Sequence, residues 1–213
     1  MACCDYPILN ERQVLAMKIF KLLIVLALGM GAWYYFSTRP VHQSAGILVE
    51  NDPVQGDITD GSVFSFHDYQ ITPLASFSVR ARVLSVKTYS IGRESDLSTV
   101  DVALGWGAMS DSAVVDKLSI SQNNRFYFYS WSDQPPLPPQ EIVEHSANMH
   151  VIPADQEIKK KVSKIHVGDI VEFSGYLIRA DAPDGWHWIS SCSRTDSGVG
   201  ACEIVWVEEL AIQ

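Results

Sequence analysis

The chain has few of the patterns that mark a known chemistry. It has no G-x-S-x-G elbow, so no serine is set up as a nucleophile on a strand-to-helix turn. It has no G-x-G-x-x-G and no glycine run followed by Lys-Ser/Thr, which removes the dinucleotide and phosphate-loop readings. Four cysteines among 213 residues are too few for a disulfide-dense scaffold, and none stands in CxxC or haem-attachment spacing. Positive charge is also scarce: 16 Lys and Arg face 25 Asp and Glu, a formal net charge of −9. Such a balance lacks the cationic surface needed to displace counterions from phosphates, so no nucleic-acid partner is expected. No repeat of solenoid period is visible. Charged residues make up 19% and hydrophobic residues 47%, too apolar a mixture for a mainly disordered chain.

Much of the apolar content lies in one early run. Residues 19–36, IFKLLIVLALGMGAWYYF, contain Lys21 as their only charge. As a helix they would extend about 27 Å, close to the thickness of a hydrocarbon core. Arg12, Lys18 and Lys21 outweigh Asp5 and Glu11 on the N-terminal side. Positive flanks stay inside, so the expectation is an N-terminus in the cytoplasm and the remainder across a bacterial inner membrane, periplasmic or extracytoplasmic. Trp33, Tyr34 and Tyr35 close the segment with rings suited to the headgroup level. A cleaved signal peptide starting at Met17 is the rival reading. Bulky Trp33-Tyr34-Tyr35-Phe36 stands where small cleavage-site residues should be, which favours an uncleaved signal-anchor. Met17 could also be the true start, in which case Cys3 and Cys4 precede the protein.

The expected organisation is therefore a short cytoplasmic segment 1–18, a transmembrane signal-anchor 19–36, a linker 37–60 and an extracytoplasmic domain 61–213. The linker is rich in Pro, Gly, Ser and Asp, with one apolar run at Ile47-Leu48-Val49 that suits an edge strand. In the domain, Phe77, Val79, Ala81 and Val83 alternate with Ser78, Arg80 and Arg82, the period of a half-buried strand. Residues 125–131 (RFYFYSW) form a second strand after a turn at Asn123-Asn124, and 133–139 (DQPPLPP) form a stiff loop. Short helices are expected after Ser110-Asp111-Ser112 and after Asp155. The second has Ile158, Val162 and Ile165 on one side and Lys159, Lys160, Lys161 and Lys164 on the other. Those lysines read either as a solvated face or as a contact with anionic lipid. Strands are expected at 170–179, 186–190 and 202–210, with hairpin chemistry at 181–185 (DAPDG). The fold class is mainly β (α+β): a small OB-like barrel or sandwich with one or two short helices, preceded by one N-terminal transmembrane helix. The stretch GDIVEFSGYLI resembles the later strands of an OB-type barrel.

Several constellations are candidates for chemistry. Cys192 and Cys202 flank a Gly- and Ser-rich loop and would pair as a disulfide in an oxidising compartment. His145 and His150, with Glu144, offer metal ligands, but five residues apart on a helix they would diverge by about 140°. No metal is assigned to them and no cofactor is expected. Asp101 and Asp111 bracket Gly105-Trp106-Gly107, a sequence that suits a pocket floor or a tight turn whose indole plugs the core. Arg194, Asp196 and Glu203, with Arg80 and Arg82, suit an Arg/carboxylate site or an ion-pair network. The binding-pocket candidates are thus Asp101, Trp106, Asp111, His145, His150, Arg194 and Asp196, with catalytic residues left unassigned.

The phrases DVALGWGAMSD, HSANMHVIP and TDSGVGACE, spread over residues 101–203, are similar to a set of bacterial exported or membrane-anchored proteins of unknown activity. That resemblance implies an envelope location and transfers no catalytic residue. The expected function is a single-pass envelope protein whose domain serves as a binding module. Its expected partners are the lipid bilayer through residues 19–36 and another envelope protein or a glycan. The alternative is an extracytoplasmic hydrolase, metal-dependent or not, using His145, His150 and nearby carboxylates.

Overall fold

A computed structural model describes residues 10–37, 39–58, 61–193 and 202–213. The chain divides into two compact units, Met1–Arg39 and Pro40–Gln213. In the first, α1 (Glu11–Ser37) is one continuous helix. Its stretch Leu15–Tyr35 is long and apolar enough to cross a membrane, about 31 Å at 1.5 Å per residue. The helix begins eight residues before the apolar run, because Asn10 and Gln13 exchange side-chain and backbone hydrogen bonds at its start (2.9 and 3.0 Å).

The second unit is mainly β, with a mixed sheet. Its strands are β1 (Val54–Gly56), β2 (Phe64–Phe66), β3 (Tyr69–Thr88), β4 (Val100–Gly105), β5 (Ser119–Asn123), β6 (Phe126–Ser130), β7 (Ser146–Pro153), β8 (Ile170–Asp181), β9 (His187–Ile189) and β10 (Glu203–Ile212). Short helices α2 (Ser112–Val115), α3 (Pro139–Glu144) and α4 (Gln156–Val162) lie between them. Strand β3 pairs with β4, β4 with β7, β7 with β10 and β10 with β8, and β8 returns to β3. The ring closes, and its only parallel contact is β7–β10. Closure leaves these five strands with few open edges.

Side-chain alternation builds the interior. Phe77, Val79, Ala81 and Val83 from β3, Val102 and Leu104 from β4, Met149 and Val151 from β7 and Val205 and Val207 from β10 share one buried cluster. Ile158, Val162 and Ile165 belong to the same cluster, so α4 closes one end of the ring with its apolar stripe. Apart from Ala81, each such side chain contributes about 1.5–3 kcal/mol when fully buried. Asp155 starts α4 by accepting a hydrogen bond from Ile158 N at 2.8 Å. Asp155→Ala should therefore lower stability by about 1 kcal/mol, read as a lower unfolding midpoint, with little change expected for Asp155→Ser.

Two further layers cover the outside. On one, Tyr69, Ile71, Leu97, Ile152, Ile178, Ile204 and Trp206 are buried beneath β2 and β9. On the other, Leu84, Ala103, Met109 and Ile142 lie beneath the β5–β6 hairpin, with Tyr127, Tyr129 and Trp131 packed on them. Strands β4 and β7 are thus buried on both faces. This is why neither shows the alternation that marks a half-buried strand, and why 145–150 reads as helix or loop from sequence.

The segment expected as a linker is strapped onto the domain. Val41 N donates to Val167 O (2.7 Å), Gln43 Nε2 to Gly168 O (2.9 Å), and Leu48 N and Val49 N to Ser110 Oγ (3.0 and 3.1 Å). Val49 is buried, and the edge strand falls at Val54–Gly56, pairing with β3, not at Ile47–Val49. Gly168 has φ +93°, and a Cβ there would collide with the Val41 carbonyl, so this crossing needs glycine.

Candidate functional site

The feature of most chemical interest lies on the outer side of β4 and β7, at the seam between the two outer layers. Asp101 and His150 are cross-strand partners. Inward neighbours Val100, Val102, Met149 and Val151 fill the ring, so strand alternation turns Asp101 and His150 outward. Both are nonetheless buried, with side-chain exposures of 0% and 3%. His150 Nδ1 stands 2.9 Å from Asp101 Oδ1. The contact is one of distance only: His150 Nδ1 is buried and has no hydrogen-bond partner among the described residues, because the carboxylate oxygen does not lie along its N–H direction.

The same carboxylate oxygen takes Arg125 Nη1 at 2.7 Å. Arg125 follows the tight turn of the β5–β6 hairpin, where Asn124 (φ 50°) and Arg125 itself (φ 69°) adopt left-handed backbone. Its Nη2 donates to Ser95 Oγ (2.8 Å) and to Ser98 O (2.9 Å), and its N donates to Tyr89 Oη (3.1 Å). The guanidinium lies over the Tyr89 ring at 4.1 Å and the Trp188 ring at 5.9 Å. Burial pushes the Tyr89 phenol above its ordinary pKa. Asn148 Nδ2 donates to Arg125 O (2.9 Å), and Gln122 Nε2 to Asn148 Oδ1 (2.6 Å). One cation and one anion thus neutralise each other in a dry seam, held by the β3–β4 loop, the hairpin and two barrel strands. Asp101 Oδ2 is buried with no hydrogen-bond partner among the described residues, leaving one strong acceptor unused.

An aromatic row leads away from this pair. Trp188 packs on the His150 ring (centroids 4.8 Å), Trp186 on Trp188 (6.4 Å) and Tyr69 on Trp186 (5.6 Å). Arg93 lies 4.9 Å over Trp186 and is held by Asp184 in a two-armed contact of 2.6 and 2.8 Å. Trp186 and Trp188 are half-buried, so each indole keeps part of its surface in contact with solvent.

Of the residues singled out from the sequence, the structure brings Asp101 and His150 together. Trp106 is 1% exposed and belongs to the barrel interior, as a core plug and not a pocket floor. Asp111 caps α2 by accepting from Ala113 N (2.8 Å) and accepts from Gly46 N (2.8 Å). Those two donors hold its carboxyl below the ordinary range. His145 follows α3, and a Cβ on Gly107 would come within 2.9 Å of its ring. Glu144 accepts from Gln140 Nε2 at its own surface position. His145 and His150 are separated by extended chain, so their backbones stand about 13–16 Å apart. Among the described residues no group of three His, Cys, Asp or Glu side chains is placed to share a metal ion. Arg80 bonds Leu48 O and Gln213 Oε1, and Arg82 bonds Ser110 O and Ser112 Oγ, so neither arginine meets the seam. Arg194 and Asp196 lie outside the described residues.

The expected Cys192–Cys202 disulfide is not formed in this structure. Ser191 N donates to Cys202 O at 3.1 Å, so the two flanks do meet. The Cys202 sulfur, however, turns inward to 3.7 Å from Arg125 O and 3.8 Å from Asn148 Nδ2, while Cys192 is exposed.

Sequence reasoning overlooked Arg125. Its one signal was position: an arginine directly after Asn123-Asn124, opening an aromatic strand, is carried by the turn to a fixed place on the barrel. Comparison with protein-family models, curated proteins and solved structures finds no match for this chain.

Proposed function

We propose that this is a single-pass membrane-anchored envelope protein whose extracytoplasmic domain is an OB-type barrel acting as a binding module for a glycan. The OB-type reading is supported by the ring order β3-β4-β7-β10-β8, its one parallel pair and the helix closing the barrel between β7 and β8. In such barrels the outer face of the second and third strands carries ligands. Here the β5–β6 hairpin and the β9 arm cover that face on β4 and β7, so the surface on offer is the aromatic row of the covering layer.

The observation that carries the binding reading is the row Tyr69–Trp186–Trp188–His150, flanked by Arg93 and Arg125. Flat indole faces beside fixed donors and acceptors suit the ring faces and hydroxyls of a sugar. Aromatic and arginine side chains also dominate binding energetics in general. The hydrolase alternative draws on the Asp101–His150 contact, which sets an imidazole 2.9 Å from a buried carboxylate. Among the described residues no hydroxyl or thiol is hydrogen-bonded to His150, and His145 stands away from it.

Titrating the full chain in detergent with soluble envelope glycans, followed by tryptophan fluorescence, tests the proposal. Saturable quenching is expected, weakened at least tenfold in Trp188→Ala. An unaltered spectrum with every glycan, or equal affinity in the variant, would remove the reading. Topology is tested separately by a reporter fused after Gln213, which should be active only outside the cytoplasm.

A further inference from the structure

The lysine run takes a definite orientation once α4 is placed. Ile158, Val162 and Ile165 are buried at the end of the barrel, whereas Lys159, Lys160 and Lys164 are exposed. At about 100° per residue, Lys160 and Lys164 stand opposite the buried stripe. Lys161 differs from them, since its Nζ lies 3.0 Å from Glu157 Oε1. Lys159, Lys160 and Lys164 form no ion pair among the described residues. Of the acids around this corner, Asp155 caps the helix, Glu157 holds Lys161 and Asp169 accepts from His166 N at 2.7 Å. Asp96, which shares a cavity wall with Lys159, accepts from Tyr69 Oη at 3.1 Å, and Glu172 and Glu208 line the cavity on the Lys161 side. Beyond residue 36 the chain carries 13 basic and 23 acidic residues, so three lysines without an ion pair, two on α4 and one in the turn after it, depart from its general charge.

A second observation concerns the point where the chain enters the domain. The turn after α4 receives Val41 through Val167 O and Gln43 through Gly168 O. Val41 and Val167 are 39% and 37% exposed, leaving two apolar side chains near Lys164. Only four peptide units separate Val41 from Ser37, the last residue of α1. Fully extended, they reach about 14 Å. That is comparable with a headgroup layer of roughly 5–8 Å plus a Debye length of about 8 Å. Chain length alone therefore keeps this turn within electrostatic range of the surface of any bilayer that α1 spans.

From these two observations we infer that Lys159, Lys160 and Lys164, with Val41 and Val167, form a face that lies on anionic phospholipid headgroups. The inference rests on the reading of α1 as a bilayer-spanning anchor. A lysine near an anionic surface contributes about a fivefold gain in occupancy, so three together give roughly 100-fold. The consequence is a domain held with this corner down, which fixes the direction in which the aromatic row is presented.

The test uses the full chain in nanodiscs, either of phosphatidylcholine alone or with added phosphatidylglycerol. A water-soluble acetylating reagent is applied and each lysine is read by mass spectrometry, with exposed Lys117 as internal reference. Lys160 and Lys164 should be acetylated at least fivefold more slowly, relative to Lys117, when phosphatidylglycerol is present. High salt should reverse this, and Lys160→Gln/Lys164→Gln should return Lys159 to its rate in phosphatidylcholine. Equal ratios in the two lipids would overturn the lipid face, and so would equal protection in both, which would point to a protein occupant. A chain that fails to co-elute with nanodiscs would instead overturn the anchor itself, so the two failures are told apart by elution.

Discussion

Arg125→Ala should be among the most damaging single substitutions in the domain, lowering stability by about 3–5 kcal/mol. The loss is not that of one ion pair. Asp101 is 0% exposed, and without the guanidinium its carboxylate would stay buried with only His150 beside it. Ser95 Oγ and Ser98 O would lose their donor, and the hairpin its stacking on Tyr89. For a domain of this size the unfolding midpoint should fall by roughly 6–20 °C, measurable by tryptophan fluorescence on heating. Arg125→Lys should recover little, because one ammonium cannot reach Asp101, Ser95 and Ser98 together as the planar fork does. The double variant Arg125→Met/Asp101→Leu should be much less damaged than either single change, since an apolar pair leaves no buried charge unanswered. Arg93→Ala is the control: its contact with Asp184 has comparable distances but partners 35% and 61% exposed, and its midpoint should hardly move. Equal effects at Arg125 and Arg93 would mean that the seam is not as dry as its geometry indicates.

The contrast between these two arginines also explains how much of the molecule could be read from its sequence. Strands with one wet face were legible. The alternation in 77–83 marks the middle of β3, and the DAPDG turn marks the β8–β9 hairpin, where Gly185 takes φ +89°. The apolar stripe and the Asp155 cap marked the start of α4, which ends at Val162, before the last member of the stripe, Ile165. Strands β4 and β7 were not legible, because the β5–β6 hairpin and the β9 arm cover their outer faces and remove the polar half of the pattern. What remains, Val-Asp-Val-Ala-Leu-Gly and Ser-Ala-Asn-Met-His-Val-Ile-Pro, looks like an apolar run with stray polar residues. Those stray residues, Asp101, Asn148 and His150, are the site. Asp101 and His150 stand out as chemical types, but only the register of β4 against β7 puts Asp101 opposite His150, and only the hairpin turn brings Arg125 to them. The strap was hidden for another reason: most of its hydrogen bonds use backbone groups, which any sequence carries.

Trp106→Ala should cost about 3–5 kcal/mol as well, for a different physical reason. Glycine on both sides of an indole can be read as a pocket floor, and the packing says otherwise. Trp106 is 1% exposed in the same cluster as Val49, Phe77 and Leu104, so its removal leaves a cavity the barrel cannot close. The glycines serve that packing. A Cβ on Gly105 would strike the Met109 carbonyl, and Gly107, at φ +50°, donates to Val49 O at 2.8 Å while its α-carbon faces the His145 ring. The indole therefore sits where the strap, the turn after β4 and the residue after α3 converge. Filling part of the volume should recover part of the loss, so Trp106→Phe is expected to fall between Trp106→Ala and the native chain. The glycan titration separates the two roles. Trp106→Ala measured below its lowered midpoint should keep the affinity of the native chain, whereas Trp188→Ala should lose affinity while its midpoint changes less. A Trp106→Ala protein of native stability that no longer binds would reverse the assignment, making the indole a ligand contact and the barrel interior its pocket.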